Sequence, residues 1–278
     1  MSPLPEPPAW TQPLPEATPP ADMSVHHLPT GSYENRAAFA FKGGSFRDKR
    51  DFASSAILVR HPRGDLLIDA GFGTDVDAHL ALLPRFMRTP HRATRTVAEQ
   101  LDAAGYDRGR LLGVLPTHTH WDHVGGLEAL AGTPIWMNEG ELRYAAKGWE
   151  GTVYRQVSQG HEIRGYGFDD RPYLGFPTSF DVHGDGSVVV VHAPGHTTGS
   201  VVVFVHPPTG PRYAFIGDLT WQLEGIRERA GRPWLLSKMA DSDTDRVHRD
   251  QLRMIALDRL FRIVPAHDLR AYEGIPAL

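Results

Sequence analysis

Seven consecutive residues carry the densest chemistry in the chain: Thr117-His118-Thr119-His120-Trp121-Asp122-His123. Four ligand-type side chains lie within six positions, directly after an apolar run, Leu111 to Leu115, that reads as a buried strand. In an extended segment residues two apart point the same way, so His118 and His120 can reach one ion. Asp122 and His123 begin the next turn and can reach a second position nearby. A polar loop with incidental histidines would not need this fixed order. Three more ligand-type residues follow, each ending a strand-like run: His196 after Val189 to Gly195, Asp218 after Tyr213 to Gly217, and His267 after Ile263 to Ala266. Taken singly they read as a turn residue, a helix cap and a surface histidine. Together with the cluster they fit the rim where strand ends collect and α/β enzymes place their sites.

Composition narrows the chemistry. Among 278 residues there are no cysteines and 15 histidines. This excludes disulfides, Cys-ligated zinc, iron–sulfur clusters and a thiol nucleophile, so any metal must be held by His, Asp and Glu. The formal net charge is −4, against a general nucleic-acid binder. With 41% apolar and 22% charged residues the chain reads as globular, and it has no apolar run long enough for a membrane span. The start of the chain does not read as a signal peptide, and a cytoplasmic location is expected.

The elements that must position these residues are legible in part. Eight of the 23 prolines fall in the first 20 residues, so 1–22 reads as an extended arm. It is either a disordered tail or, through Trp10 and Leu14, packed on its own domain or on a partner subunit. Ser55 to Arg60 and Asp65 to Ile68 form a hairpin signal around His61-Pro62-Arg63-Gly64, with Asp69-Ala70-Gly71 following. Helices are expected over 75–86, 96–104 and 126–131, and strands over 134–137, 187–192, 200–205, 213–216 and 262–265. Residues 147–180 lack periodicity and are expected to be a functional loop or insertion. Ser242 with Asp245 reads as a capping box opening a last helix whose apolar face is Val247, Met254, Leu257 and Phe261. The fold class is a mixture of strands and helices, α/β or α+β, and 23–278 is expected to be one catalytic domain.

The cluster 118–123, Asp69 after a strand, Pro-Gly-His196, Gly-Asp218 and Pro-Ala-His267 resemble the five ordered motifs of the metallo-β-lactamase superfamily, over about residues 55 to 270. The resemblance implies a four-layer αββα sandwich and a dinuclear site. It implies one metal held by His118, His120 and His196, a second held by Asp122, His123 and His267, and Asp218 bridging them. Asp69 would stand behind the ligands and orient their loop. Nitrogen and oxygen ligands alone suit zinc, and also admit Mn, Fe or Co. Two divalent ions among so few carboxylates stay net positive, which lowers the pKa of a bound water and stabilises an oxyanion. The expected reaction is attack of a metal-bound hydroxide on an ester, lactone, thioester or amide carbonyl, with Asp122 or a metal-bound water handling protons and Asp122 and Asp218 the candidate catalytic residues. No Ser or Cys nucleophile is needed.

Within the superfamily, Asp218 points away from the lactamase branch, which generally lacks that aspartate. The acidic balance points away from the tRNA-processing nucleases, and His120 away from the oxygen-reducing branch. Glyoxalase II proteins carry a helical domain after the last His, whereas 11 residues follow His267 here. The run from Phe176-Pro177 to Pro194-Gly195-His196 and the ending Pro265-Ala266-His267-Asp268 look like the acyl-homoserine lactonases. The expected substrate is a lactone or related ester, with a thioester or β-lactam the alternatives and a non-catalytic metal-binding protein behind them. The lactonase resemblance also admits a homodimer. One departure concerns the tyrosine that many such lactonases place three residues after the bridging Asp: here it is Trp221, an N–H donor but no phenol acid. Trp221 is a candidate for the substrate pocket. So is Trp121, which either faces substrate or packs beneath the site.

Overall fold

Two parallel strands, Asp65–Ile68 and Leu111–Leu115, end in register, and this sets the first half of the site. The computed structural model describes residues 3–278. Its first sheet holds β1 (Ser24–Arg36), β2 (Lys49–Arg60), β3 (Asp65–Ile68), β4 (His91–Ala93), β5 (Leu111–Leu115), β6 (Ile135–Asn138) and β7 (Ile163–Tyr166). Their order is β4-β1-β2-β3-β5-β6-β7, with β3, β5, β6 and β7 mutually parallel. The second sheet holds β8 (Ser179–Asp181), β9 (Val188–His192), β10 (Val201–Val205), β11 (Tyr213–Phe215) and β12 (Arg262–Val264), in the order β12-β11-β10-β9-β8. The helices are α1 (Ala37–Ala40), α2 (Val76–Ala81), α3 (Val97–Ala103), α4 (Trp121–Val124), α5 (Glu139–Ala145), α6 (Thr152–Val157), α7 (Glu224–Arg227), α8 (Trp234–Ala240) and α9 (Thr244–Leu257). No helix among the described residues is long and apolar enough to cross a membrane.

Contacts divide the chain into two compact units. One comprises the chain up to Ala21, Asn35–Phe52 and Gly167–Tyr272; the other comprises Asp22–Glu34, Ala53–Tyr166 and Glu273–Leu278. The second has its core in Leu58, Leu67, Val114, Leu127 and Ile135, all buried. The first is cored by Val191, Val202, Phe204, Met254 and Leu257. Burying each such side chain contributes about 1.5–3 kcal/mol, which is why the valine-rich β9 and β10 form continuous apolar runs.

The N-terminal arm is extended and packed on its own unit. Leu4 N–H donates to the Arg229 carbonyl, Trp10 N–H to that of Ala256, and Thr18 N–H to that of Asp185. Trp10 and Leu14 pack against the core around Phe204. The expected helix over 75–86 is shorter: α2 stops at Ala81, and Pro84 precedes a single 3-10 turn at Arg85–Met87. The expected helix over 126–131 is a 3-10 turn, Gly125–Ala129. The stretch 147–180 holds α6, β7 and the start of β8, elements too short to show a period.

The N-cap of α9 is Asp243, whose carboxylate accepts from Arg246 N–H at 3.1 Å. Ser242, expected to cap it, instead donates its hydroxyl to the His196 carbonyl at 3.3 Å. Asp243→Ala is therefore expected to cost about 1 kcal/mol in urea unfolding, and Ser242→Ala clearly less.

Candidate metal centre

In the Asp22–Glu34, Ala53–Tyr166 unit, Ile68 and Leu115 are paired at the ends of β3 and β5, so the residues after them share one sheet edge. Asp69 turns there with φ +60°, a left-handed conformation that aspartate tolerates better than most residues. Its buried carboxylate accepts from Thr117 N–H at 2.6 Å and from the Thr117 hydroxyl at 3.0 Å. It also accepts from His123 Nδ1 at 2.9 Å. One carboxylate thus fixes the start of the ligand loop and the ring of its last histidine, leaving His123 Nε2 as the nitrogen for a metal. The turn behind is laced by Ala70 N–H to the His123 carbonyl (2.7 Å) and Gly126 N–H to the Gly71 carbonyl (2.9 Å). A Cβ at Gly126 would stand 2.2 Å from the Ala70 oxygen, so only glycine fits that approach.

Further along the loop, His118 Nε2 and His120 Nδ1 face each other at 3.0 Å. His120 Nε2 lies 3.0 Å from the Tyr144 hydroxyl. Burial raises the Tyr144 pKa, with Glu150 and Glu141 adding to the effect, so the phenol stays a donor. Glu141, at the start of α5, accepts from Thr119 N–H and its hydroxyl, both at 2.7 Å. The sequence reading contained neither Tyr144 nor Glu141. Glutamate in the first turn of a helix is so ordinary that no local signal marks one turned inward. Trp121 stacks on Phe72 (5.2 Å, 15°) within the apolar core of this unit, so it packs and does not stand open to solvent.

In the other unit the strand logic repeats. β11 and β12 are parallel, with Phe215 opposite Val264, and Asp218 and His267 each follow three residues later. β9 runs in the same direction as β11, because each is antiparallel to β10, and His196 follows its end. The Asp218 carboxylate lies between two imidazoles, 3.4 Å from His196 Nε2 and 3.0 Å from His267 Nε2. His196 Nδ1 lies 3.2 Å from Asp241 Oδ1. Gly195, at φ +152°, lets the ligand turn approach α9: a Cβ there would lie 2.8 Å from Val247 N. Asp268 is held by Leu223 N–H and Arg270. Burial opposes its charge, but these donors outweigh it and keep the pKa below the usual carboxylate value.

Trp221 is part of the Asp218 environment. Its Nε1–H donates to Asp218 Oδ2 at 2.8 Å, and its ring lies between the edge of Phe52 and the guanidinium of Arg232. Arg232 and Asp241 were not among the residues singled out from the sequence, since neither sits in a motif.

In the unit of β5, His118 and His120 stand together after the strand, and in the unit of β11, Asp218 stands between His196 and His267. Asp69 is bonded to Thr117 and to the His123 ring. These donors are nitrogen and carboxylate oxygen only, nearly all buried, and His123 and His196 each have a carboxylate at the far ring nitrogen. Such a donor set fits divalent ions of the zinc kind.

The family model described as the metallo-beta-lactamase superfamily matches residues 50–267. The chain belongs to that superfamily. It is similar to a probable metallo-hydrolase of Mycobacterium tuberculosis, Rv2300c, 27% identical over 276 residues that cover 93% of this chain and 84% of the relative. The N-acyl homoserine lactonase AttM of Rhizobium johnstonii is 26% identical over 227 residues, covering 78% of this chain and 82% of the lactonase. Among solved structures, an N-acyl homoserine lactone hydrolase with the product N-hexanoyl-L-homoserine at its catalytic metal centre matches with a TM-score of 0.72. That match is at 16% identity and covers 91% of this chain and 96% of the other. The fold is thus the mixed α/β, two-sheet fold expected of this superfamily.

Proposed function

We propose that this superfamily member is a dinuclear metal-dependent hydrolase that opens a lactone or a related ester. The observation that carries the reading is Asp218 set between two imidazole nitrogens, as a bridging carboxylate requires. The similarity to AttM, an N-acyl homoserine lactonase, supports the lactone as substrate class. The donor set favours zinc, without excluding Mn, Fe or Co.

In this reading His118, His120 and His196 would hold one ion, Asp122, His123 and His267 would hold the other, and Asp218 would be shared. When bound, two such ions acidify a water and polarise the substrate carbonyl. The chain does the rest. Asp69, Asp241 and Tyr144 fix the outer nitrogens of His123, His196 and His120, so that each ring turns its other nitrogen inward. Trp221 N–H is committed to Asp218 Oδ2 and fixes which way that carboxylate faces. Besides its place among the ligands, Asp122 handles the proton in this reading.

A panel of acyl-homoserine lactones, simple γ-lactones, an acyl thioester and a β-lactam tests the substrate class on zinc-loaded protein. Lactone kcat/KM is expected to exceed the thioester and β-lactam values by at least about tenfold, a difference of about 1.4 kcal/mol in transition-state binding. Preference for the thioester or the β-lactam would replace the lactone reading.

A further inference from the structure

Arg232 and Asp241 bracket α8 and meet again at its base, where Arg232 Nη1 donates to Asp241 Oδ1. Both side chains are almost wholly buried, at 3% and 0% exposure. The same guanidinium donates through Nη2 to the main-chain oxygen of Asp218 and lies 4.4 Å over the Trp221 ring. Trp221 in turn donates to Asp218 Oδ2, and Asp241 stands at His196 Nδ1. The segment after Asp241 is tied to the His196 turn by Ser242 N–H to the His196 carbonyl (3.2 Å) and Asp243 N–H to the Gly195 carbonyl (2.9 Å).

We propose that Arg232 is the positioning residue of this half-site, acting through Trp221 on Asp218 and through Asp241 on His196. The inference rests on the metal-centre reading above. A planar guanidinium is what the arrangement requires. It presents two N–H groups to two different acceptors in one plane, and it stacks on an indole by its face. A lysine could satisfy one acceptor but could not stack. Because His196 and Asp218 share this one group, their relative placement is set before any ion arrives. Trp221 then has a role in place of the tyrosine of the lactonase pattern: its N–H prevents the carboxylate from rotating.

Two variants test this, Trp221→Phe and Arg232→Lys, each read by Co²⁺ and Zn²⁺ affinity in competition with a chromophoric chelator. The visible spectrum of the cobalt form and thermal unfolding of the metal-free protein complete the set. Affinity is expected to fall about 10–100-fold in each variant, with a changed cobalt spectrum. The double variant is expected to fall short of the product of the single losses, because both act on one carboxylate. Metal-free unfolding of Trp221→Phe is expected to match the unaltered chain, since phenylalanine keeps the ring beneath Arg232. If Arg232→Lys does not fold, Trp221→Phe decides alone. An unaltered chain that binds two ions, with Trp221→Phe binding them as tightly and with the same cobalt spectrum, overturns the inference. An unaltered chain that binds none overturns the metal-centre reading itself.

Discussion

Asp218→Ala is expected to reduce lactone kcat/KM at least about a thousandfold, close to 4 kcal/mol of transition-state stabilisation, and to lower the bound metal to one ion or fewer. The size follows from where the carboxylate lies. It is buried between His196 Nε2 and His267 Nε2, 3.4 and 3.0 Å away, so its removal deprives both groups of their shared negative charge. It also leaves the Trp221 N–H without its acceptor. The fold is not expected to fail, because the main-chain oxygen that Arg232 engages survives the substitution. Metal analysis after gel filtration and steady-state kinetics on one preparation check both halves. Full activity with two ions retained would mean that Asp218 bridges nothing.

The second large effect concerns Asp69, and two substitutions separate its two duties. Asp69→Ala removes acceptors from Thr117 N–H, the Thr117 hydroxyl and His123 Nδ1. It also forces an alanine into a left-handed conformation that costs about 1–2 kcal/mol. With the hydrogen bonds included, a loss of about 3 kcal/mol in urea unfolding of metal-free protein is expected. Asn tolerates the same backbone and still offers Oδ1 to Thr117 N–H. Its amide cannot accept from the His123 ring, which loses the partner that fixes its tautomer. Asp69→Asn is therefore expected to unfold within about 1 kcal/mol of the unaltered chain while binding zinc about 10–100-fold more weakly. Equal zinc affinity in Asp69→Asn would show that the carboxylate only holds the turn.

Much of this was readable in the sequence because the ligand-type residues follow strands that carry their own signals. Leu111–Leu115 is an apolar run of strand length and emerges as β5, so the loop after it falls at a sheet edge. The runs ending at His196, Asp218 and His267 are equally plain. The helix expected over 96–104 emerges as α3, opened by a capping box at Thr96 and Glu99. What stayed hidden depends on partners distant in the chain. Trp221 was visible as a departure, but an indole shows in sequence neither its rotamer nor its acceptor. Its N–H meets Asp218 Oδ2 and its ring meets the guanidinium of Arg232. Arg232 and Asp241 are ordinary until α8 brings them together. β1 was missed because Pro29 and Gly31 interrupt its alternation. Glu141 and Tyr144 lie in α5, which at seven residues is too short for apolar periodicity to find it.

In the proposed function, seven His and Asp ligands hold two divalent ions, and ester opening needs both. Plasma mass spectrometry of purified, zinc-reconstituted protein, with lactone hydrolysis followed before and after chelation, tests it most directly. The account predicts two ions per chain, activity lost on chelation and restored when zinc is returned. Fewer than one ion per chain, or lactone turnover that persists in the metal-free protein, would contradict it.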